Sequence, residues 1–197
     1  MNMKTGFFLA AALLLPLSAS ADRLDDLLAK GPVVLIEQDG EAKFKSSTSI
    51  IRIDAPLDTV WKAVLDLKNY KTFMPKTLRS DVAFQTETEA EVTFEVDVPF
   101  ANPVYTLHYQ FDAKERFIQI SWAKGDLKGS YYGWKFVPAG DSTLIYYKGS
   151  TKKYSSWAEQ LEDDQQTITV GINVASQLAV LRALKQHVEK GQVKIGP

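Results

Sequence analysis

The spacing of apolar positions changes character several times along this chain, and each change marks an element. Gly6 to Leu17 is a continuous apolar run, with Lys4 ahead of it and Ala19-Ser20-Ala21 behind. From Asp22 to Lys30 the spacing is helical, with Leu24, Leu27 and Leu28 on one face, and Gly31-Pro32 stops it. Val33 to Glu37 reads as a strand, Asp39-Gly40 as a hairpin turn and Lys43 to Ile53 as the returning strand, which Asp54-Ala55-Pro56 ends. Val60, Trp61, Val64, Leu65 and Leu67 then recur near helical spacing, predicting a helix over Leu57 to Leu67. A shorter helical piece through Tyr70, Phe73 and Met74 follows, stopped at Pro75.

Beyond Pro75 the period drops from about 3.6 to about 2. Val92, Phe94, Val96 and Val98 alternate with Thr93, Glu95 and Asp97; Leu107, Tyr109 and Phe111 alternate with Thr106, His108 and Gln110. Ile118, Ile120 and Trp122 alternate with Gln119 and Ser121, Tyr132, Trp134 and Phe136 follow, and Leu144 to Lys148 makes a further strand after a Gly140-Asp141 turn. Such closely spaced strands describe an antiparallel meander. The chain ends in helix. Ser156-Trp157-Ala158-Glu159 matches a capping box. Thr167 to Val174 is ambiguous, because β-branched residues and Gly171 disfavour helix. Ala175 to Lys190 is clearly helical, with Leu178, Leu181, Leu184 and Val188 as its stripe and Gly191 closing it.

This order predicts an α+β fold, a curved antiparallel sheet wrapped around a long C-terminal helix, with an N-terminal helix and an extra strand in front. One helix is roughly 10 Å wide and cannot fill the concavity of six or more strands. Either bulky side chains plug the remainder or a pocket stays open. The candidate lining is Phe94, Tyr109, Phe111, Trp122, Tyr132, Trp134 and Phe136 on the strands. Asn173, Ser176 and Gln177 on the helix either face inward, where they would orient a polar head group, or face solvent.

The apolar run before Ala21 changes the picture of where this happens. A basic start, a short apolar stretch and a small-residue end describe a secretory signal peptide over residues 1–21, cleaved after Ala21, which predicts a periplasmic or secreted protein. Residues 22–197 then form a single domain, long enough to bury about 70% of its unfolded surface. There is no Cys, so thiol chemistry and thiolate metal sites are excluded and the core must hold the fold without disulfides. The net charge of the full chain is −1, with no Lys/Arg cluster able to track a phosphate backbone, so nucleic acid is not an expected partner.

Ile51-Arg52-Ile53-Asp54-Ala55-Pro56, then Val60-Trp61-Lys62-Ala63-Val64 and Lys68-Asn69-Tyr70 up to Phe73-Met74-Pro75, resemble the opening of START-like (SRPBCC) proteins. Gly129, Gly133-Trp134-Lys135-Phe136, Pro138 and Thr143 with Tyr146 resemble that family's late strand pair. The resemblance runs roughly from Lys43 to Lys190. It implies the helix-grip fold of the polyketide cyclase/dehydrase and coenzyme Q-binding relatives of the birch pollen allergen. It implies a shared cavity but no common catalytic signature.

Candidate chemistry is sparse. His108 falls in the strand phase opposite Leu107 and Tyr109 and is expected to face solvent; His187 sits near a helix C-terminus, where a cation is favourable without further function. Glu159, Glu162, Asp163 and Asp164 lack the spacing of a calcium loop, and Glu87, Glu89 and Glu91 read as a solvated face. No phosphate loop, nucleophile elbow or zincin motif occurs. No cofactor and no metal are therefore expected. The expected function is binding, and transfer, of a hydrophobic small molecule or lipid. The alternatives are a cyclase/dehydratase-type enzyme, in which Tyr109, Tyr132 or His108 polarises a carbonyl, and a closed-core structural or stress-response domain. Pro99-Phe100-Ala101-Asn102-Pro103 is a rigid apolar tip that allows a transient membrane contact, to which Lys148, Lys152 and Lys153 would add charge.

Overall fold

A computed structural model describes residues 18–41, 43–97, 102–150 and 166–192. A first helix α1 (Ser18–Lys30) leads into strands β1 (Val33–Gln38) and β2 (Phe44–Ile53). Helix α2 (Leu57–Leu65), a 3₁₀ turn (Leu67–Asn69) and the one-turn helix α3 (Tyr70–Phe73) follow. Six strands come next: β3 (Thr77–Gln85), β4 (Glu89–Val96), β5 (Val104–Asp112), β6 (Phe117–Gly125), β7 (Tyr131–Ala139) and β8 (Ser142–Ser150). Helix α4 (Gln166–Gln192) closes the described chain. All eight strands form one sheet in the order β1-β2-β8-β7-β6-β5-β4-β3, antiparallel throughout. The fold is the helix-grip arrangement predicted above, and β1 extends the sheet beyond β2.

Several differences from the sequence reading have physical causes. Strand β3 carries no clear alternation, because it is an edge strand: only Ser80 is buried, Leu78 and Phe84 are exposed, and its pairing with β4 is interrupted twice by register shifts. The ambiguous stretch Thr167–Val174 is helix, continuous with the rest of α4, since packing on the sheet overrides its modest local preference. Leu27 of α1, expected on the buried face with Leu24 and Leu28, is exposed while Leu28 is buried. The capping box at Ser156, the acidic group at Glu159–Asp164, Lys152, Lys153 and most of the Pro99–Pro103 tip lie outside the described residues.

The strand period of two sorts the sheet into an inner face, packed on α4, and an outer one. Ile51 and Ile53, Val92 and Phe94, Leu107, Tyr109 and Phe111, Ile118 and Ile120, Trp134 and Phe136, and Ile145 and Tyr147 all join one core with Leu181, Leu184 and Val188 of α4. Val60, Trp61 and Val64 of α2 close this core at one end. Arg116 pins that closure, pairing with Asp58 at 2.7 Å and lying 5.4 Å over the Trp61 ring. The turns after α2 are tied down by buried hydroxyls: Tyr70 donates to the Val64 carbonyl at 2.7 Å and Ser80 to the Leu67 carbonyl at 2.6 Å.

Candidate ligand site on the inner face of the sheet

The inner face divides along the strands. At the end covered by α2, Ile53, Val60, Ile118, Ile145, Leu181 and Leu184 have essentially no exposure. Trp61 meets Phe136 edge-on at 5.3 Å, and Phe136 stacks with Trp134 at 6.1 Å. This half is filled, and residues so completely enclosed line no cavity. The opposite end, where β4, β6 and β8 finish and α4 begins, is different. Tyr105, Tyr132 and Val96 beside them are only half-buried although register places them on the inner face.

That end is built around tyrosines and amides. Tyr132 and Tyr147 lie 5.9 Å apart, and Tyr147 stacks on Trp134 at 4.3 Å. Phe94 faces Tyr105 at 5.9 Å, while Tyr109 and Phe111, 6.2 Å apart, lead along β5 back toward the filled half, where Phe111 opposes Ile118. Gly149 makes the arrangement sterically possible: a Cβ there would stand 2.4 Å from Cδ1 of Tyr132 and 2.8 Å from the Tyr131 carbonyl. From α4, Gln177 reaches across. It accepts from the Ser49 hydroxyl at 2.8 Å, and its amide lies 3.4 Å from each of the Ser47 and Gly149 carbonyls. Burial pushes the Tyr109 phenol well above its ordinary pKa, reinforced by the neighbouring phenols of Tyr70, Tyr147, Tyr105 and Tyr132. Burial and Tyr132 push the Tyr105 phenol up in the same way. Both hydroxyls therefore stay protonated at neutral pH. The buried polar residues of the described chain are Ser, Thr, Asn and Gln; none is charged.

Of the candidate lining residues, Phe94, Tyr109, Phe111, Trp134 and Phe136 are buried on the inner face. Phe136 belongs to the filled half. Tyr132 stands at the open end. Trp122 shares the face of Leu107 by register, but its indole N–H is engaged at the rim, donating to the Asp126 carbonyl at 3.0 Å and lying 3.2 Å from that of Gly125. The two readings of the helix amides are resolved: Asn173 and Gln177 face inward in line with Leu181, while Ser176 is exposed. Asn173 is turned back on its own helix, donating to the Thr169 carbonyl at 2.9 Å. Tyr105, Tyr147 and Gly149 join the site without having been singled out by the sequence pattern. Tyr105 lies in phase with Leu107 and Tyr109, so alternation alone could have found it; Gly149 leaves no such signature. His108 lies on the outer face, 3.6 Å from Glu89. His187 is exposed and stacks on Phe73 at 4.0 Å.

Two clefts lie elsewhere. One of about 400 Å³ crosses the outer face over Gly133, between Phe117, Tyr131 and Tyr146. The other, of about 580 Å³, lies where the α1–β1 connection meets β2 and α4, beside Arg52, Arg182 and Lys185. Among the described residues no group of acidic or histidine side chains is placed to hold a metal ion, and no helix is long and apolar enough to cross a membrane.

A sequence model of the family described as polyketide cyclase/dehydrase and lipid transport matches residues 42–189, most of the chain. The chain belongs to that family. The match begins after α1 and β1, so both lie outside the matched residues. Solved structures with the same fold include a protein from Thermus thermophilus, 15% identical, covering 75% of this chain and 99% of that one, with a TM-score of 0.65. A STAR-related lipid transfer protein from Xanthomonas axonopodis is 18% identical, with coverage of 81% and 94% and a TM-score of 0.62. The Zhui aromatase/cyclase from a Streptomyces species is 16% identical, with coverage of 74% and 94% and a TM-score of 0.57. At these identities the likeness is one of fold. No curated protein matches the chain in sequence.

Proposed function

We propose that this protein binds, and transfers, a hydrophobic small molecule or lipid in the periplasm, holding it between α4 and the tyrosine-lined end of the sheet. The observation that carries the reading is the incomplete burial of Tyr105 and Tyr132 on the inner face, within a lining of aromatic rings and uncharged amides. The family's inclusion of lipid transport supports it. The export signal read from residues 1–21 supports the compartment.

The test is native mass spectrometry of protein purified from its own export compartment, followed by organic extraction. A discrete apolar species that co-purifies is the expected result. A protein that emerges empty, and then takes up no lipid and no apolar dye, would sink the reading and leave the closed-core domain in its place.

A cyclase/dehydratase-type enzyme is the second reading, favoured by the inward phenols of Tyr109 and Tyr132. His108 drops out of it, because it lies on the outer face. The Tyr105 and Tyr109 phenols are poised as donors and not as bases, since both remain protonated at neutral pH. That balance favours binding over turnover. Release of water from an added β-hydroxyketone, followed by mass spectrometry, would reverse the preference.

A further inference from the structure

Resting on the reading above, the hydroxyls at the open end narrow the chemistry of what is held there. A buried phenol ordinarily finds a hydrogen-bond partner, as Tyr70 does at the Val64 carbonyl. Among the described residues, the Tyr105 and Tyr109 hydroxyls have none. Among the described residues, Ser47 Oγ, Arg52 Nε and Ser130 Oγ are both unpartnered and sealed from water. The Tyr109 hydroxyl is not one of them, although the residue is only 4% exposed. It lies among the phenols of Tyr70, Tyr147, Tyr105 and Tyr132. Gln177, which also reaches this end, is already engaged by Ser49 and two strand carbonyls, so it braces the wall and is not free to bind.

We infer that this site selects ligands with an uncharged oxygen acceptor, an ester, ketone or ether, which takes the hydrogen bond of Tyr109 with Tyr105 as a second donor, and that it discriminates against ionised ones. A carboxylate placed at the same point would lose its hydration without gaining a cation from the described residues, none of whose buried side chains is charged. Two neutral donors only partly offset that loss. A plain hydrocarbon would fit the walls but leave the Tyr109 hydroxyl unpaired, or paired only to water.

The experiment uses three probes of equal chain length, methyl laurate, laurate and dodecane, each displacing a neutral naphthylamine dye from the full-length protein. At about pH 7.5, where laurate is ionised, methyl laurate should bind at least about tenfold more tightly than laurate. It should also outbind dodecane, by about two- to tenfold. Tyr109→Phe should remove the advantage of the ester over dodecane without weakening dodecane, with an unaltered melting temperature reporting an intact fold. Laurate affinity should rise as the pH falls through the carboxyl's own titration range. Laurate binding as tightly as the ester at neutral pH, or a Y109F variant that weakens ester and hydrocarbon alike, would overturn the inference while leaving the hydrophobic cavity standing. Failure of all three probes to displace the dye would overturn the cavity reading itself.

Discussion

Replacing Gly149 with alanine places a methyl group in space that two neighbours already occupy. The new Cβ would lie 2.4 Å from Cδ1 and 3.2 Å from Cε1 of Tyr132, and 2.8 Å from the Tyr131 carbonyl oxygen. An ordinary contact needs about 3.5 Å, so the ring must retreat by roughly an ångström. Retreat of the ring does not relieve the carbonyl, which is fixed in the β7–β8 ladder where Tyr132 opposes Gly149. The strain therefore falls on backbone as well as side chain, and overpacking of this kind costs about 1–3 kcal/mol. For a domain of this size that corresponds to a melting temperature lower by about 2–12 °C. Urea unfolding gives the free energy directly. Near-UV circular dichroism reports the rings themselves, Tyr132 lying 5.9 Å from Tyr147 and Tyr147 lying 4.3 Å from Trp134. Adding Tyr132→Leu to Gly149→Ala should recover part of the loss but not all, because the carbonyl contact persists. A Gly149→Ala protein within about 0.5 kcal/mol of the parent, with unchanged aromatic dichroism, would refute the claim that this glycine is there to seat the ring.

Leu184→Ala, in the filled half, should destabilise the protein by about 2–5 kcal/mol in urea unfolding without altering dye binding. A cost near zero would mean that this half is not packed as described. Gln177→Leu should lower stability by about 1–3 kcal/mol, since Ser49 loses its acceptor inside the protein. Glu37 is held at a pKa of about 2 by Lys148 and Lys45, with help from the Ser46 hydroxyl. Because its folded value is depressed, its contribution is present above the ordinary value of 4.5 and is lost as the pH falls toward about 2. The stability of the parent relative to Glu37→Gln should therefore shrink across that window, and added salt should shrink it further. A difference independent of pH would contradict this pairing.

The sheet, the closing helix and most of the inner face are legible in the sequence because alternation and helical spacing are properties of burial, and burial is what the sequence encodes most directly. β4, β5, β6 and β7 each carry a clean apolar phase, and Asn173 and Gln177 stand out as polar positions in an apolar stripe. Edge strand β3 is not legible. It buries a single serine fully, so its pattern is that of the surface. Tyr147 escapes because β8 has side chains of similar character on both faces, Tyr146 outward and Tyr147 inward. The engagement of Trp122 at the rim is hidden because its bonds run to carbonyls of a loop, and no pattern of side chains predicts where a turn will aim its backbone. Gly149 is the instructive miss: its function is to be absent from a space, which shows only once the opposite strand is in place.

The unequal halves of the inner face also bear on how such a protein can change over generations. Substitutions in the half under α2 disturb packing on which folding depends, so selection there acts against nearly every novelty. At the tyrosine end the incompletely buried rings carry less of the packing, so, Gly149 and Gln177 apart, exchanging a ring there should cost folding less. On the proposed reading, the first region carries the architecture and the second the choice of ligand. Lineages sharing this plan can then diverge until little but the outline is common, as the 15–18% identities to structures of the same fold illustrate. The same separation recommends the scaffold to engineers, who could recut the tyrosine end for a chosen molecule and leave the other half untouched.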